Sequence, residues 1–158
     1  MNEQGKRGQA WLERLLKSMG VAAPVVAREP DAEGAVWLEI AAEALDPAQV
    51  DLLLGERGHT IDAIQYLANT LLNVGHGPEE QQAFTVELAG YRRRRQAELA
   101  ELVTAAIAQV RATGAEVEME HLSAAERRQV HNLLKDQEDL TTESRGAEPD
   151  RRLFICRR

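Results

Sequence analysis

Two short segments of this chain carry residues whose types and spacing could hold an anion. The first is Gly55-Glu56-Arg57-Gly58, set between two predicted helices. Glycine lets a phosphodiester backbone come closer than a side chain would allow. The helix that follows presents unpaired amides and the positive end of its dipole. A lone G-x-x-G is also ordinary punctuation, so a plain tight turn is the competing reading. The second segment is Arg127-Arg128-Gln129-Val130-His131. Arg127 and His131 are four residues apart on a helix and share a side, and Lys135 extends the row. This spacing predicts a solvent-facing cationic stripe of Arg127, His131 and Lys135, with Val130, Leu133 and Leu134 turned toward the core. Arginine suits phosphate because its planar fork donates two bonds; histidine adds a ring donor that can gain charge beside an anion. The competing reading pairs Arg127 with an acidic neighbour and places His131 at the core edge.

A third cluster is Tyr91-Arg92-Arg93-Arg94-Arg95. Four cations in a first helical turn oppose the helix dipole, each costing about 0.3–1 kcal/mol at low salt. Their neutralisation by phosphate or by the chain's own carboxylates would equally account for them. Catalytic inventories are empty. There is no G-x-x-x-x-G-K-[ST] loop and no H-E-x-x-H pair, and His59, His76, His121 and His131 lack metal-ligand spacing. Cys156 stands next to Arg157, which could lower a thiol pKa, yet it has no partner for catalysis. We therefore expect no enzyme activity, no cofactor and no metal. Trp11 and Trp37 read as packing residues rather than stacking platforms.

The elements that must position these residues follow from periodicity. Trp11, Leu12, Leu15, Leu16 and Met19 predict a first helix stopped at Gly20. A strand over Val21–Glu29 and another with Val36, Leu38 and Ile40 on one face come next. Asp46-Pro47 opens a short helix. A longer one starts near Gly58, with a buried stripe of Ile61, Ile64, Leu67, Ala68, Leu71 and Leu72. Phe84, Val86 and Leu88 then alternate with Thr85 and Glu87 as a third strand. The order α-β-β-α-α-β predicts one three-stranded sheet with helices on one side. Residues 91–113 read as a connecting helix with Leu99, Val103, Ala106, Ile107 and Val110 on one side. Beyond it come a short strand at Val117–Met119, a helix opened by the capping box Ser123-Ala124-Ala125-Glu126, a polar turn stretch over Thr141–Asp150, and a last strand at Arg152–Cys156.

Composition bounds the class. The chain has 158 residues, 44% hydrophobic and 28% charged, which is globular rather than disordered. It contains no apolar run near the roughly 18 residues a membrane span needs, and its first residues, which lack a signal peptide's apolar stretch and cleavage site, lead us to expect no signal peptide. The one cysteine excludes an internal disulfide. A cytoplasmic protein is expected. The net charge of −7 is unevenly spread: residues 1–89 hold 6 Lys/Arg against 14 Asp/Glu, and residues 90–158 hold 13 against 12. Binding follows the local field over a patch, so acidity disfavours a nonspecific DNA coat and leaves room for a focused site.

Leu53-Leu54-Gly55-Glu56-Arg57-Gly58, followed by Ile61-Asp62-Ala63-Ile64-Gln65-Tyr66-Leu67, resembles the KH domain of the bacterial Jag family. Arg127 and His131 on a capped helix, followed by Thr141-Thr142-Glu143-Ser144 and a terminal strand with Arg151-Arg152, are similar to the Arg-x-x-x-His domain that accompanies KH in that family. The resemblance implies an α+β chain: a type II KH domain over residues 8–90, a connecting helix over 91–113, and a small α/β Arg-x-x-x-His domain over 114–158. It implies a grip on about four single-stranded nucleotides by the G-x-x-G loop, and a second grip by Arg127 and His131. Where the family usually has a basic loop residue, this chain has Glu56. On the same resemblance we expect no counterpart of the family's separate N-terminal domain, and none of the functions that rest on it.

The function expected on these grounds is binding of single-stranded RNA, or of single-stranded DNA, with a regulatory role after transcription or in cell-envelope and division control. The site residues expected are Gly55, Glu56, Arg57, Gly58, Arg92, Arg93, Arg127, Arg128, His131 and Lys135. The alternative, favoured by Glu56, is a protein-interaction adapter whose KH domain pairs with a small KH-domain protein or with a second copy of itself.

Overall fold

The computed structural model describes residues 3–32, 34–147 and 150–158. It divides into two compact units, with the division between Arg92 and Arg93. The chain is mixed α+β, and among the described residues no helix is long and apolar enough to cross a membrane.

The first unit contains α1 (Glu3–Ser18), β1 (Val25–Ala27), β2 (Val36–Ile40), α2 (Pro47–Leu54), α3 (His59–Leu71) and β3 (Phe84–Leu88). Its sheet runs β1-β2-β3, with β1 antiparallel and β3 parallel to β2. A parallel pair needs a long crossover, and α2 with α3 supplies it. Val36, Leu38 and Ile40 lie opposite Phe84, Val86 and Leu88, and all six side chains are buried. α1 packs over β1 and β2, and α3 over β3. Gly8 allows the close approach of α1: a Cβ there would lie 2.8 Å from the Phe84 ring. Asp46 caps α2 through a full capping box with Gln49.

Three features differ from the sequence reading. β1 is three residues long rather than spanning Val21–Glu29, although Val21 and Ala23 still pack in the core. Leu67 and Leu71, expected in the buried stripe of α3, are 39% and 52% exposed. The sheet is narrow enough that Ile61, Ile64, Ala68 and Leu72 cover it, and Leu67 and Leu71 fall about 100° to one side of Ala68 and Leu72. Glu87 is buried rather than facing out, because its Oε1 accepts from the amides of Leu88 (2.8 Å) and Arg92 (3.2 Å) at the entry to the next helix.

The outer edge of β3 is closed by side chains of the neighbouring helix. Gln65, Asn69 and Asn73 recur every four residues and meet Val86, Phe84 and Gln82, which recur every two. Four residues of helix rise about 6 Å and two residues of strand about 6.6 Å, so the two ladders stay in step. Asn69 donates to the Phe84 carbonyl (2.8 Å) and accepts from its amide (2.9 Å). Asn73 does the same with Gln82, and Gln65 accepts from the Val86 amide (3.0 Å).

The second unit begins in α4 (Tyr91–Thr113) and continues through β4 (Val117–Met119), α5 (Ala124–Leu134), β5 (Leu140–Arg145) and β6 (Arg152–Arg157). Its antiparallel sheet runs β4-β6-β5. The helix read from the sequence as a connection contributes Leu99, Val103, Ala106 and Val110 to this unit's core, beside Met119, Val130, Leu134, Leu140, Leu153 and Ile155. Ser123 and Glu126 form the expected capping box of α5.

The stretch read as a polar turn is instead mostly strand: Leu140–Arg145 pairs residue for residue with β6. Its polarity concealed it. Only Leu140 of its six side chains is buried, and the rest of its inner row is Thr142 and Ser144. Glu148 and Pro149 of that predicted turn lie outside the described residues. Leu133, expected to face the core, is 51% exposed because Val130 and Leu134 already fill the side of α5 that meets the sheet.

Candidate nucleic-acid interface

In the second unit, the cations of α5 divide between core and solvent, and not as their spacing suggested. Arg127 is 8% exposed. It begins the same stripe as buried Val130 and Leu134, and its Nη1 donates to the Leu122 carbonyl at 2.9 Å. Arg127 therefore ties the turn before α5 to the helix instead of standing on an open ridge. The exposed cations are Arg128, His131 and Lys135, at i, i+3 and i+7. At 100° per residue these three fall within about 60° of one another, so they form one flank of α5. No ion pair joins any of them to a carboxylate among the described residues.

β5 runs beside this flank. His131 Nδ1 lies 2.8 Å from Thr142 Oγ1, whose residue pairs with Ile155 and so belongs to the row of the sheet that faces α5. The opposite row is acidic and self-paired. Arg145 donates to Glu116 (2.7 and 2.8 Å) and Glu143 (2.8 Å), and its guanidinium stacks 4.2 Å from the Phe154 ring centre. These bonds hold the Glu116 carboxyl below the usual range and the Arg145 guanidinium above its own. Arg111 likewise lowers Asp139 through paired bonds of 2.8 Å. Cys156 does not gain a lowered pKa from Arg157. Burial, followed by the charges of Glu143 and Glu116, pushes its thiol up.

The arginine cluster at the start of α4 is partly spent inside the protein. In the first unit, Arg92 donates to Asp62 (2.5 Å), to the Val86 carbonyl (3.1 Å) and to the Ile61 carbonyl (3.4 Å). It is thus another closure of the β3 edge. In the second unit, Arg95 donates to Glu126 at 2.6 Å. Arg93 is exposed and has no ion pair among the described residues.

The G-x-x-G segment of the first unit is a tight, left-handed turn between α2 and α3. Gly55 has φ +70°, Arg57 +53° and Gly58 +75°. Glu56 and Arg57 project into solvent, and no side chain caps the first amides of α3. The loop leans on Tyr91, whose Oη donates to the Arg57 carbonyl at 3.2 Å. Trp37 takes no part in any platform at this loop: its indole donates to Asp31 at 2.7 Å.

Sequence reasoning overlooked two groups. Thr142 lay in the Thr141-Thr142-Glu143-Ser144 segment that carries the resemblance, but nothing in the sequence marked it as the partner of His131. The amide ladder Gln65-x-x-x-Asn69-x-x-x-Asn73 was visible as a period of four, but its strand partner was not.

Residues 97–157, from within α4 to the end of β6, match the family model of the Arg-x-x-x-His domain. The chain is also similar to three curated relatives, each named RNA-binding protein KhpB. That of Lactiplantibacillus plantarum is 32% identical over 111 residues, 70% of this chain and 34% of the relative. That of Clostridium symbiosum is 26% identical over 145 residues, 92% of this chain and 62% of the relative. That of Bacillus subtilis is 30% identical over 106 residues, 66% of this chain and 50% of the relative. The chain thus spans between about a third and three-fifths of the length of these relatives.

Proposed function

We propose that this chain, through its second unit, binds single-stranded RNA along the α5 flank formed by Arg128, His131 and Lys135. The observation that carries the reading is this exposed cationic row, lying inside the residues that match the Arg-x-x-x-His domain and joined to no carboxylate among the described residues, in a chain of net charge −7. Relatives named as RNA-binding proteins support it. We read the first unit as a type II KH domain. Its element order, its antiparallel and parallel strand pairs, and the G-x-x-G turn between α2 and α3 support that assignment. In this reading the turn offers the amides of Glu56 and Arg57 to a second stretch of phosphate, those of Gly55 and Gly58 being bonded to the carbonyls of Asp51 and Gly55; the Arg57 side chain adds charge and that of Glu56 opposes it. Arg127 and Arg92 support the fold, while Arg93 remains open to phosphate.

The test is fluorescence anisotropy of a labelled oligouridylate across a salt series. Each phosphate that is no longer gripped should flatten the slope of log K against log salt by about 0.7. Replacing Arg128 and Lys135 together with Ala is expected to flatten it by about 1.4; an unchanged slope would overturn the proposed flank. A deoxy oligonucleotide of the same length separates RNA from DNA preference through the 2′-hydroxyl.

A second reading, a protein adapter, is favoured by the exposed Tyr66, Leu67 and Leu71 on α3. With the β3 edge closed, a small KH-domain partner or second copy would sit on this helix. Glu56→Lys discriminates the two: tighter oligouridylate binding places phosphate at the loop, whereas unchanged RNA binding together with a concentration-dependent mass that Leu71→Glu abolishes supports the adapter.

A further inference from the structure

The bond between His131 and Thr142 decides what His131 can offer to a phosphate. A neutral imidazole carries one proton, and the hydrogen bond at one ring nitrogen sets which nitrogen holds it. Here Nδ1 is 2.8 Å from Thr142 Oγ1, and Nε2 has no partner among the described residues. Two arrangements are chemically distinct. If Thr142 donates its hydroxyl proton to Nδ1, the ring proton sits on Nε2 and points outward as a donor. If Nδ1–H donates to Oγ1, Nε2 presents a lone pair, which repels a phosphate oxygen.

Two observations favour the first arrangement. The Thr142 hydroxyl has no other acceptor among the described residues, so donation to Nδ1 gives its only proton a protein partner. The Nε2–H form is also the intrinsically preferred tautomer of a neutral histidine side chain. Thr142 is well placed for this role. It sits in a strand paired along its whole length with β6, and its branched side chain restricts rotation about χ1.

We propose that Thr142 is a positioning residue that holds His131 as the Nε2–H tautomer, so that the uncharged ring presents a fixed donor to a phosphate oxygen beside Arg128 and Lys135. The inference rests on the RNA-binding reading of this flank and adds a residue outside the Arg-x-x-x-His spacing. It also explains why a hydroxyl residue stands in the inner row of β5, where its neighbours Leu140 and Ile155 are buried and apolar.

The experiment uses the full chain, uniformly labelled with nitrogen-15. Long-range proton–nitrogen spectra identify the His131 tautomer, and anisotropy with oligouridylate measures affinity. The wild type should show the Nε2–H pattern. Thr142→Val, which keeps the branched shape and removes the hydroxyl, should relax the ring to its intrinsic tautomer mixture, with a larger Nδ1–H share than in wild type, and, with the ring's orientation also released, weaken binding about fivefold. Thr142→Ser should restore both. An Nδ1–H pattern in the wild type overturns the inference whatever the variants do, and decides the matter if Thr142→Val does not fold. Unchanged affinity in folded Thr142→Val, with His131→Ala clearly weaker, overturns the inference while the RNA-binding flank stands. Full affinity in His131→Ala removes His131 from the flank and the inference with it.

Discussion

Asn69 is hydrogen-bonded to both main-chain groups of Phe84, donating to its carbonyl at 2.8 Å and accepting from its amide at 2.9 Å. The side chain therefore behaves as a short piece of the missing fourth strand. An exposed strand edge invites pairing with another chain, and in this unit the helix that covers the sheet also closes it. Asn69→Ala should leave the amide and carbonyl of Phe84 without their partner and cost about 1–3 kcal/mol. Urea unfolding monitored by circular dichroism measures the destabilisation. Asn69→Asp keeps the acceptor and removes the donor, so it is expected to fall between wild type and Asn69→Ala.

Gly58 and Tyr91 exclude any larger residue in the loop. A Cβ on Gly58 would lie 1.9 Å from the Tyr91 hydroxyl, and the backbone there has φ +75°. Gly58→Ala should combine left-handed strain with overpacking and cost about 2–4 kcal/mol. Adding Tyr91→Ala removes the collision but not the strain. The double variant should therefore be less destabilised than the sum of the two singles, and strict additivity would show that the two residues do not collide.

Arg127 and Arg128 are adjacent and should behave differently. Arg127→Ala leaves the Leu122 carbonyl without its 2.9 Å donor and is expected to lower stability by about 1–3 kcal/mol. Arg128→Ala should leave the melting temperature within a degree or two, as an exposed substitution does, while flattening the salt dependence of RNA binding. Thermal melts beside anisotropy titrations distinguish the pair, and a reversed pattern would show that Arg127 rather than Arg128 meets the phosphate.

The second unit should weaken in acid through Asp139 and Glu116, whose carboxyls are held below their ordinary values by hydrogen bonds from Arg111 and Arg145. A carboxyl with a folded pKa below its unfolded one stabilises the fold above the unfolded value, about 3.9 for Asp and 4.3 for Glu. That contribution is lost as the pH falls through the folded pKa. Both pairs are exposed, so salt should diminish the effect. Urea midpoints at pH 7, 4 and 3 should fall less steeply in Asp139→Asn than in wild type.

Much of the architecture was readable from local chemistry. Capping residues act within one turn, so Asp46 and Ser123 marked the starts of α2 and α5 without knowledge of anything distant. Alternation in Val36–Ile40 and Phe84–Leu88 identified two strands because each has one wholly buried face. β5 escaped detection because a strand with only Leu140 buried carries almost no hydrophobic period.

The amino-acid sequence by itself determined the order of elements, the position of the G-x-x-G turn and the concentration of arginine in the second half, since these depend on residues close together in the chain. It also restricted the binding flank to a few cations on one short helix. Which of them face solvent was settled only by packing. Arg127 and Arg128 are one residue and about 100° apart, and the sheet beneath α5 takes the first and leaves the second free. The partners of Asn69 and His131 were decided in the same way. Their bonds join segments 15 and 11 residues apart in sequence, and only strand pairing and helix docking bring those segments together.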